Sequence, residues 1–199
     1  MQIKICGITT RDDISYVNEA GPDFAGFIQF FPKSKRNISV GQAKELFAGL
    51  SPNIKKVAVT VEPTPEQIKE IEAAGFDYIQ IHGNMDVRTL AQIKIPALKA
   101  FNVKDLGDFE TYNACENVKG FVFDASVPGQ GKTFDWSLLQ GLPEISDDRI
   151  VLLAGGLNPE NVADAIRATG ARGVDTSSGV ENDNGVGKSR KKILAFVEN

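Results

Sequence analysis

The stretch "RIVLLAGGLNPENVADAIRATGARGVDTSSGVE", residues 149–181, holds the unit that decides the fold. Arg149–Gly155 is short, aliphatic and β-branched, and it reads as a strand. A helix grammar follows, with Asn158 as the cap, Pro159 at the first helical position and Gly170 as the stop. Arg172–Ser177 reads as the next strand. The same strand-then-helix unit recurs along the chain. Strand-like runs lie at 3–6, 24–30, 55–61, 77–82, 97–103, 119–124, 149–155 and 172–177. Helical patterns include "TTRDDISYVNEAG", which ends at Gly21, and "SVGQAKELFAGL". In "TPEQIKEIEAAG", Thr64 is the cap, Pro65 the first helical residue, Gln67 the reciprocal partner and Gly75 the stop. "GKSRKKILAFVEN" closes the chain, and "DWSLLQGL" after the sixth strand offers little more than two turns.

Eight strands alternating with helices can form an open doubly wound sheet or a closed barrel. The count of eight favours the barrel, as does the recurrence of polar residues at strand C-terminal ends. The expected architecture is α/β, a single small (βα)8 barrel spanning residues 1–199. Its site belongs on the loops at the C-terminal face.

Composition narrows the functions available. The 199 residues carry a net charge of −4 with scattered charges, which argues against a nucleic-acid surface. Any anionic ligand must be held by local groups. No apolar run approaches the ~20 residues of a membrane span. Met1 leads directly into a strand-like segment, so no signal peptide is expected. The two cysteines, Cys6 and Cys115, are expected to be free thiols in a reducing cytoplasm. With one histidine in an unrelated segment, they make no zinc signature.

Strand alternation sorts the candidate residues. Lys4 and Cys6 share the inward face of "IKIC", leaving Ile3 and Ile5 to meet helices. Gln80 and His82 point inward from the fourth strand, Asp124 from the end of the sixth and Asp175 from the eighth. Each has a plainer reading. Cys6 could be a small apolar filler, Asp124 a turn cap and His82 a satisfied core histidine. Their shared place at one end of the barrel favours the functional reading. Cys115 has no supporting pattern. Gly155–Gly156 and Ser177–Ser178–Gly179 form turns after strands seven and eight, where barrels often hold phosphate. The plainer alternative is that both turns simply start helices. Arg36, in the loop after the second strand, has a fork suited to a carboxylate. Composition alone prefers the plainer reading, a solvated surface arginine among Lys33 and Lys35.

Taken together, "KICGIT" (4–9), "FPKSKR" (31–36), "IQIHG" (79–83), "GKTFDW" (131–136), "LAGGLNPENV" (153–162) and "DTSSGVE" (175–181) resemble the phosphoribosylanthranilate isomerase family over essentially the whole chain. That resemblance implies an Amadori rearrangement of N-(5-phosphoribosyl)anthranilate in tryptophan biosynthesis. Residue by residue, it implies Cys6 as general base and Asp124 as general acid. Arg36 falls on the contact to the anthranilate moiety. The Gly155–Gly156 and Ser177–Gly179 turns fall on the phosphate loops, with Gln80, His82 and Asp175 as further substrate contacts. The imine nitrogen formed on ring opening is the electron sink, so no metal or organic cofactor is required. The implied partner is a small phosphorylated substrate, with no nucleic acid and no membrane, in a cytoplasmic monomer or homodimer. Gly7 is expected to leave room for substrate beside Cys6. Lys35, Thr60, Glu62 and Gln130 depart from the usual family pattern. A histidine-pathway Amadori barrel would use an aspartate pair, and Cys6 argues against it. A non-catalytic phosphate-binding barrel would have no use for both Cys6 and Asp124.

Overall fold

The computed structural model describes residues 1–102, 106–124 and 145–199. Eight parallel strands close into a barrel in sequence order. They are β1 (Gln2–Cys6), β2 (Phe24–Ile28), β3 (Lys55–Val61), β4 (Tyr78–His82), β5 (Ala97–Asn102), β6 (Val118–Asp124), β7 (Ile150–Ala154) and β8 (Gly173–Thr176). The helices are α1 (Arg11–Ala20), α2 (Val40–Phe47), α3 (Pro65–Ala74), α4 (Val87–Gln92), α5 (Phe109–Asn113), α6 (Val162–Thr169) and α7 (Arg190–Glu198). The expected helix after strand six, Gln130 and the "GKTFDW" segment lie outside the described residues. No helix among the described residues is long and apolar enough to cross a membrane.

Alternation divides the apolar side chains into two layers, as the strand pattern requires. Phe24, Val57, Val59, Leu98, Val122 and Leu152 fill the barrel interior with Cys6 above them. Ile5, Phe27, Ile79, Ile81, Phe121, Phe123 and Val174 face the helices. Burying each such large side chain stabilises the fold by about 1.5–3 kcal/mol. Register then aligns the strand ends. Lys4 lies beside Asp175, Cys6 beside Gly26, and Asp124 between Asn102 and Ala154.

The helix starts follow local chemistry. Thr10, Ser39 and Thr64 each accept a hydrogen bond from the third helical residue, whose own side chain returns one to the cap backbone. Two boundaries differ from expectation. Asn158 does not start α6. Its side chain accepts from the backbone N–H groups of Glu160 and Asn161, which closes a separate turn, and the helix begins at Val162. Strand β2 stops at Ile28, and Phe30 beyond it takes a φ of 56°. Helices α4 and α5, of six and five residues, are too short for a periodic signal to mark.

Candidate active site

A cavity of about 270 Å³ opens at the C-terminal ends of the strands. Cys6, Arg36, Gln80, His82, Asp124, Asp175, Gly155, Gly156, Ser177 and Ser178 all line it. Gly179 does not. It packs beneath the rim, where a β-carbon would lie 1.9 Å from the Leu157 carbonyl oxygen. A larger groove of about 460 Å³ runs between α1 and α2 on the outer surface and holds no strand-end residue.

The floor beside Cys6 is an ion pair. Lys4 is fully buried, and its Nζ donates to Asp175 Oδ2 at 2.8 Å. Burial pulls the Lys4 ammonium down, but Asp175 and Cys6 push it up further, so it stays charged. Burial pushes the Asp175 carboxyl up against the pull of Lys4, the ordinary cost of taking both charges out of water. Among the described residues, Asp175 Oδ1 has no hydrogen-bond partner. The Cys6 thiol is buried, and that burial pushes its pKa up. Lys4 and Lys188 pull it down, while Asp175 adds to the rise. A β-carbon on Gly26 would sit 2.9 Å from Cys6 Sγ and 3.2 Å from Lys4 Cε, so both side chains converge over that glycine.

Lys188 arrives from the segment between β8 and α7. It is 2% exposed, and its Nζ donates to the Ser177 carbonyl at 2.9 Å. Burial brings its pKa down to about 8 against the opposing pull of Cys6 and Glu181. Ser177 Oγ in turn donates to the Cys6 carbonyl at 3.0 Å, which ties the loop after β8 to the end of β1. Thr176 Oγ1 donates to the Leu157 carbonyl at 2.6 Å and ties it to the loop after β7. Gly155 and Gly156 both have positive φ there, a conformation that glycine adopts without steric cost.

The opposite wall is neutral where it meets Asp124. Burial brings the His82 pKa down to about 4, against the upward pull of Asp124. The imidazole is therefore uncharged at neutral pH, and Gln80 Nε2 lies 2.8 Å from its Nε2. Asp124, half-buried at the end of β6, faces this imidazole.

The loop after β2 brings Arg36 onto the cavity wall, where its Nε donates to Glu181 Oε1. Gly7 makes this approach feasible. It has a φ of 77°, and a β-carbon there would lie 2.5 Å from Arg36 Cδ. The space beside Cys6 expected for substrate is thus taken by the arginine stem. Lys188 and Glu181 were not among the sequence candidates, because no periodicity marks a loop residue. Lys4 carried a usable signal, since a lysine on the inward face of a barrel strand must find a partner.

Ionisable groups gathered at the strand C-termini of a closed βα barrel place the molecule among the (βα)8-barrel enzymes. Comparison with known proteins narrows that class to an aldose–ketose isomerase. The family model described as N-(5'phosphoribosyl)anthranilate (PRA) isomerase matches residues 3–199. The N-(5'-phosphoribosyl)anthranilate isomerases of Thermoanaerobacter sp. and Cereibacter sphaeroides are 39% and 37% identical, each covering 100% of this chain and 97% of the relative. The solved phosphoribosyl anthranilate isomerase of Thermotoga maritima is 37% identical with a TM-score of 0.86, covering 100% of this chain and 98% of that one. Another, solved with reduced 1-(o-carboxyphenylamino)-1-deoxyribulose 5-phosphate, is 35% identical with a TM-score of 0.82, covering 100% and 97%. The chain belongs to the N-(5'-phosphoribosyl)anthranilate isomerase family, aldose–ketose isomerases of tryptophan biosynthesis.

Proposed function

We propose that the barrel, as one domain over residues 1–199, isomerises N-(5'-phosphoribosyl)anthranilate by general acid–base catalysis between its two walls. The observation that carries this reading is the placement of Cys6 and Asp124. They end β1 and β6, across the mouth from each other, and line one cavity. Asp124 protonates the furanose ring oxygen, and the ring opens to a protonated Schiff base. The Cys6 thiolate then removes the C2 proton, with the imine nitrogen accepting the electron pair. The resulting enaminol tautomerises to the ketose. Lys4 and Lys188 favour the thiolate against the burial that opposes it.

The substrate phosphate sits on the turns Gly155–Gly156 and Ser177–Ser178, with Gly179 holding the second turn close to the Leu157 backbone. A relative solved with a 5-phosphate ligand supports a phosphorylated substrate. The Arg36 fork takes the anthranilate carboxylate. Gln80, His82 and Asp175 supply hydrogen bonds to the open-chain sugar, and the unpartnered Oδ1 of Asp175 and Oε1 of Gln80 are acceptors suited to hydroxyl groups.

The test is anthranilate fluorescence of freshly made substrate, followed with the wild-type protein, Cys6→Ala and Asp124→Asn. Wild-type decay far above spontaneous hydrolysis, with both variants near background and unchanged circular dichroism, is the expected result. Wild-type decay at the spontaneous rate removes the isomerase reading, and near-parental turnover in either variant removes that residue from the mechanism.

A further inference from the structure

We infer that Glu181 is a specificity-determining positioning residue, which holds Arg36 so that the barrel selects substrates whose aryl amine carries a carboxylate. This rests on the proposed contact between Arg36 and the anthranilate carboxylate. Arg36 Nε donates to Glu181 Oε1, and Glu181 Oε2 accepts from Lys35 Nζ at 2.9 Å. Lys35 Nζ also donates to the Gly185 carbonyl at 2.6 Å. Among the described residues, the two terminal nitrogens of Arg36 make no hydrogen bond. A guanidinium held through its Nε side still presents its Nη1–Nη2 edge, which matches a second carboxylate bidentately.

Glu181 is itself fixed. It is 7% exposed, its N–H donates to the Ser178 carbonyl, and its own carbonyl accepts from Lys192 Nζ at 3.0 Å. Burial pushes its carboxyl up, but the hydrogen bonds from Arg36 and Lys35 outweigh that and leave it below the usual range, so it is ionised. Lys188 Nζ lies 3.9 Å from Oε1. Asp13 faces Lys188 from α1, accepting its backbone N–H, while the other Asp13 oxygen serves the cap of that helix. Three cations thus surround Glu181, and of these Arg36 lines the cavity. Lys35 gives the carboxylate a second tether.

The experiment is steady-state kinetics with two substrates, phosphoribosylanthranilate and the phosphoribosylaniline that lacks the carboxylate, with the ketose product separated by chromatography. Glu181→Gln should raise KM for the carboxylated substrate about tenfold, leave kcat within about threefold, and leave KM for the aniline analogue nearly unchanged. Lys35→Met alters a side chain that is 56% exposed and cannot unfold the barrel. It should shift KM in the same selective way by a few fold, and it carries the test if Glu181→Gln misfolds. Equal KM increases for both substrates, or wild-type discrimination in a folded Glu181→Gln, overturn the inference. Arg36→Met separates the two levels. Discrimination that survives in Arg36→Met removes the carboxylate contact itself. Discrimination lost there but retained in Glu181→Gln and Lys35→Met removes only the role of Glu181.

Discussion

The two walls of the barrel mouth handle charge in opposite ways. On the β8–β1–β2 side, Lys4, Asp175, Lys188, Glu181 and Arg36 are locked in buried or half-buried ion pairs around Cys6. On the β4–β6 side, an imidazole kept neutral by burial stands before Asp124. A thiolate needs positive charge nearby, and Lys4 supplies it throughout the neutral range, joined by Lys188 until that ammonium loses its proton near pH 8. For the proposed proton donor, the neutral imidazole is one neighbour that does not itself hold the carboxyl ionised. The division fits the proposed chemistry, with base and acid on separate walls and separate steps.

The largest expected effect tests that separation. Cys6→Ala and Asp124→Asn should each lower kcat by about 10²–10⁴-fold. If they serve successive steps, the double variant should be little slower than the slower single variant, because only one step limits turnover. Multiplied losses in single-turnover kinetics would instead put both groups in one transition state and merge the walls.

Next comes the seam joining the two phosphate turns. Gly179→Ala places a β-carbon 1.9 Å from the Leu157 carbonyl oxygen, and backbone rather than a flexible side chain must give way. We expect roughly 1–3 kcal/mol of destabilisation in a urea melt. We also expect a raised KM for the phosphorylated substrate, because the same Leu157 carbonyl accepts from Thr176. A variant with parental stability and KM would show that the turns are not coupled.

Much of this mouth was legible in the chain. Period-two alternation puts Cys6, Gln80, His82, Asp124 and Asp175 on one inner surface before any coordinates are known, and the strand count closes that surface into a barrel. Glycines mark both turns, Gly155–Gly156 by their positive φ and Gly179 by the close approach of the Leu157 backbone. What stayed hidden depends on distance in sequence. Glu181 meets Arg36 across 145 residues, and Lys188 reaches Ser177 from an irregular loop, so neither leaves a periodic trace. Gly7 was read correctly as a place where room is needed, but the occupant is Arg36. The start of α6 was misplaced because an Asn-Pro pair also closes a turn, and only tertiary packing chooses between the two.

A smaller effect probes the neutral wall through stability. The pKa of His82 falls from 6.5 unfolded to about 4 folded, so between those pH values the unfolded chain binds the additional proton. Stability should therefore rise with pH through that window and be lost on acidification from about 6.5 towards 4. At about 1.4 kcal/mol per unit, reduced by solvent contact at the mouth, the contribution is on the order of 2 kcal/mol. Other carboxylates titrate in the lower part of the range, so the measurement is the difference between wild type and His82→Asn in denaturant melts from pH 7 to 4. Parallel curves would mean that folding leaves the pKa of the imidazole where it is in the unfolded chain.

The smallest effect bears on the charged wall and on how Cys6 becomes a base. Burial raises the thiol, Lys4 and Lys188 oppose that, and Asp175 reinforces it. Lys4 cannot be removed cleanly, because Asp175 would be left buried and unpaired. Lys188 can be tested, since its ammonium is held by the Ser177 carbonyl and Glu181 keeps Arg36 and Lys35 as nearer partners when it is removed. Lys188→Met should move the thiol titration upward, read as thiolate absorbance or iodoacetamide alkylation against pH. The acid limb of the kcat/KM profile should move in the same direction. In the wild type, Lys188 loses its own proton near pH 8, so its help fades as the solution becomes more alkaline. The wild-type and variant alkylation curves should accordingly differ most below pH 8 and converge above it. Curves that coincide at every pH would assign the activation to Lys4 and the pair beneath it alone.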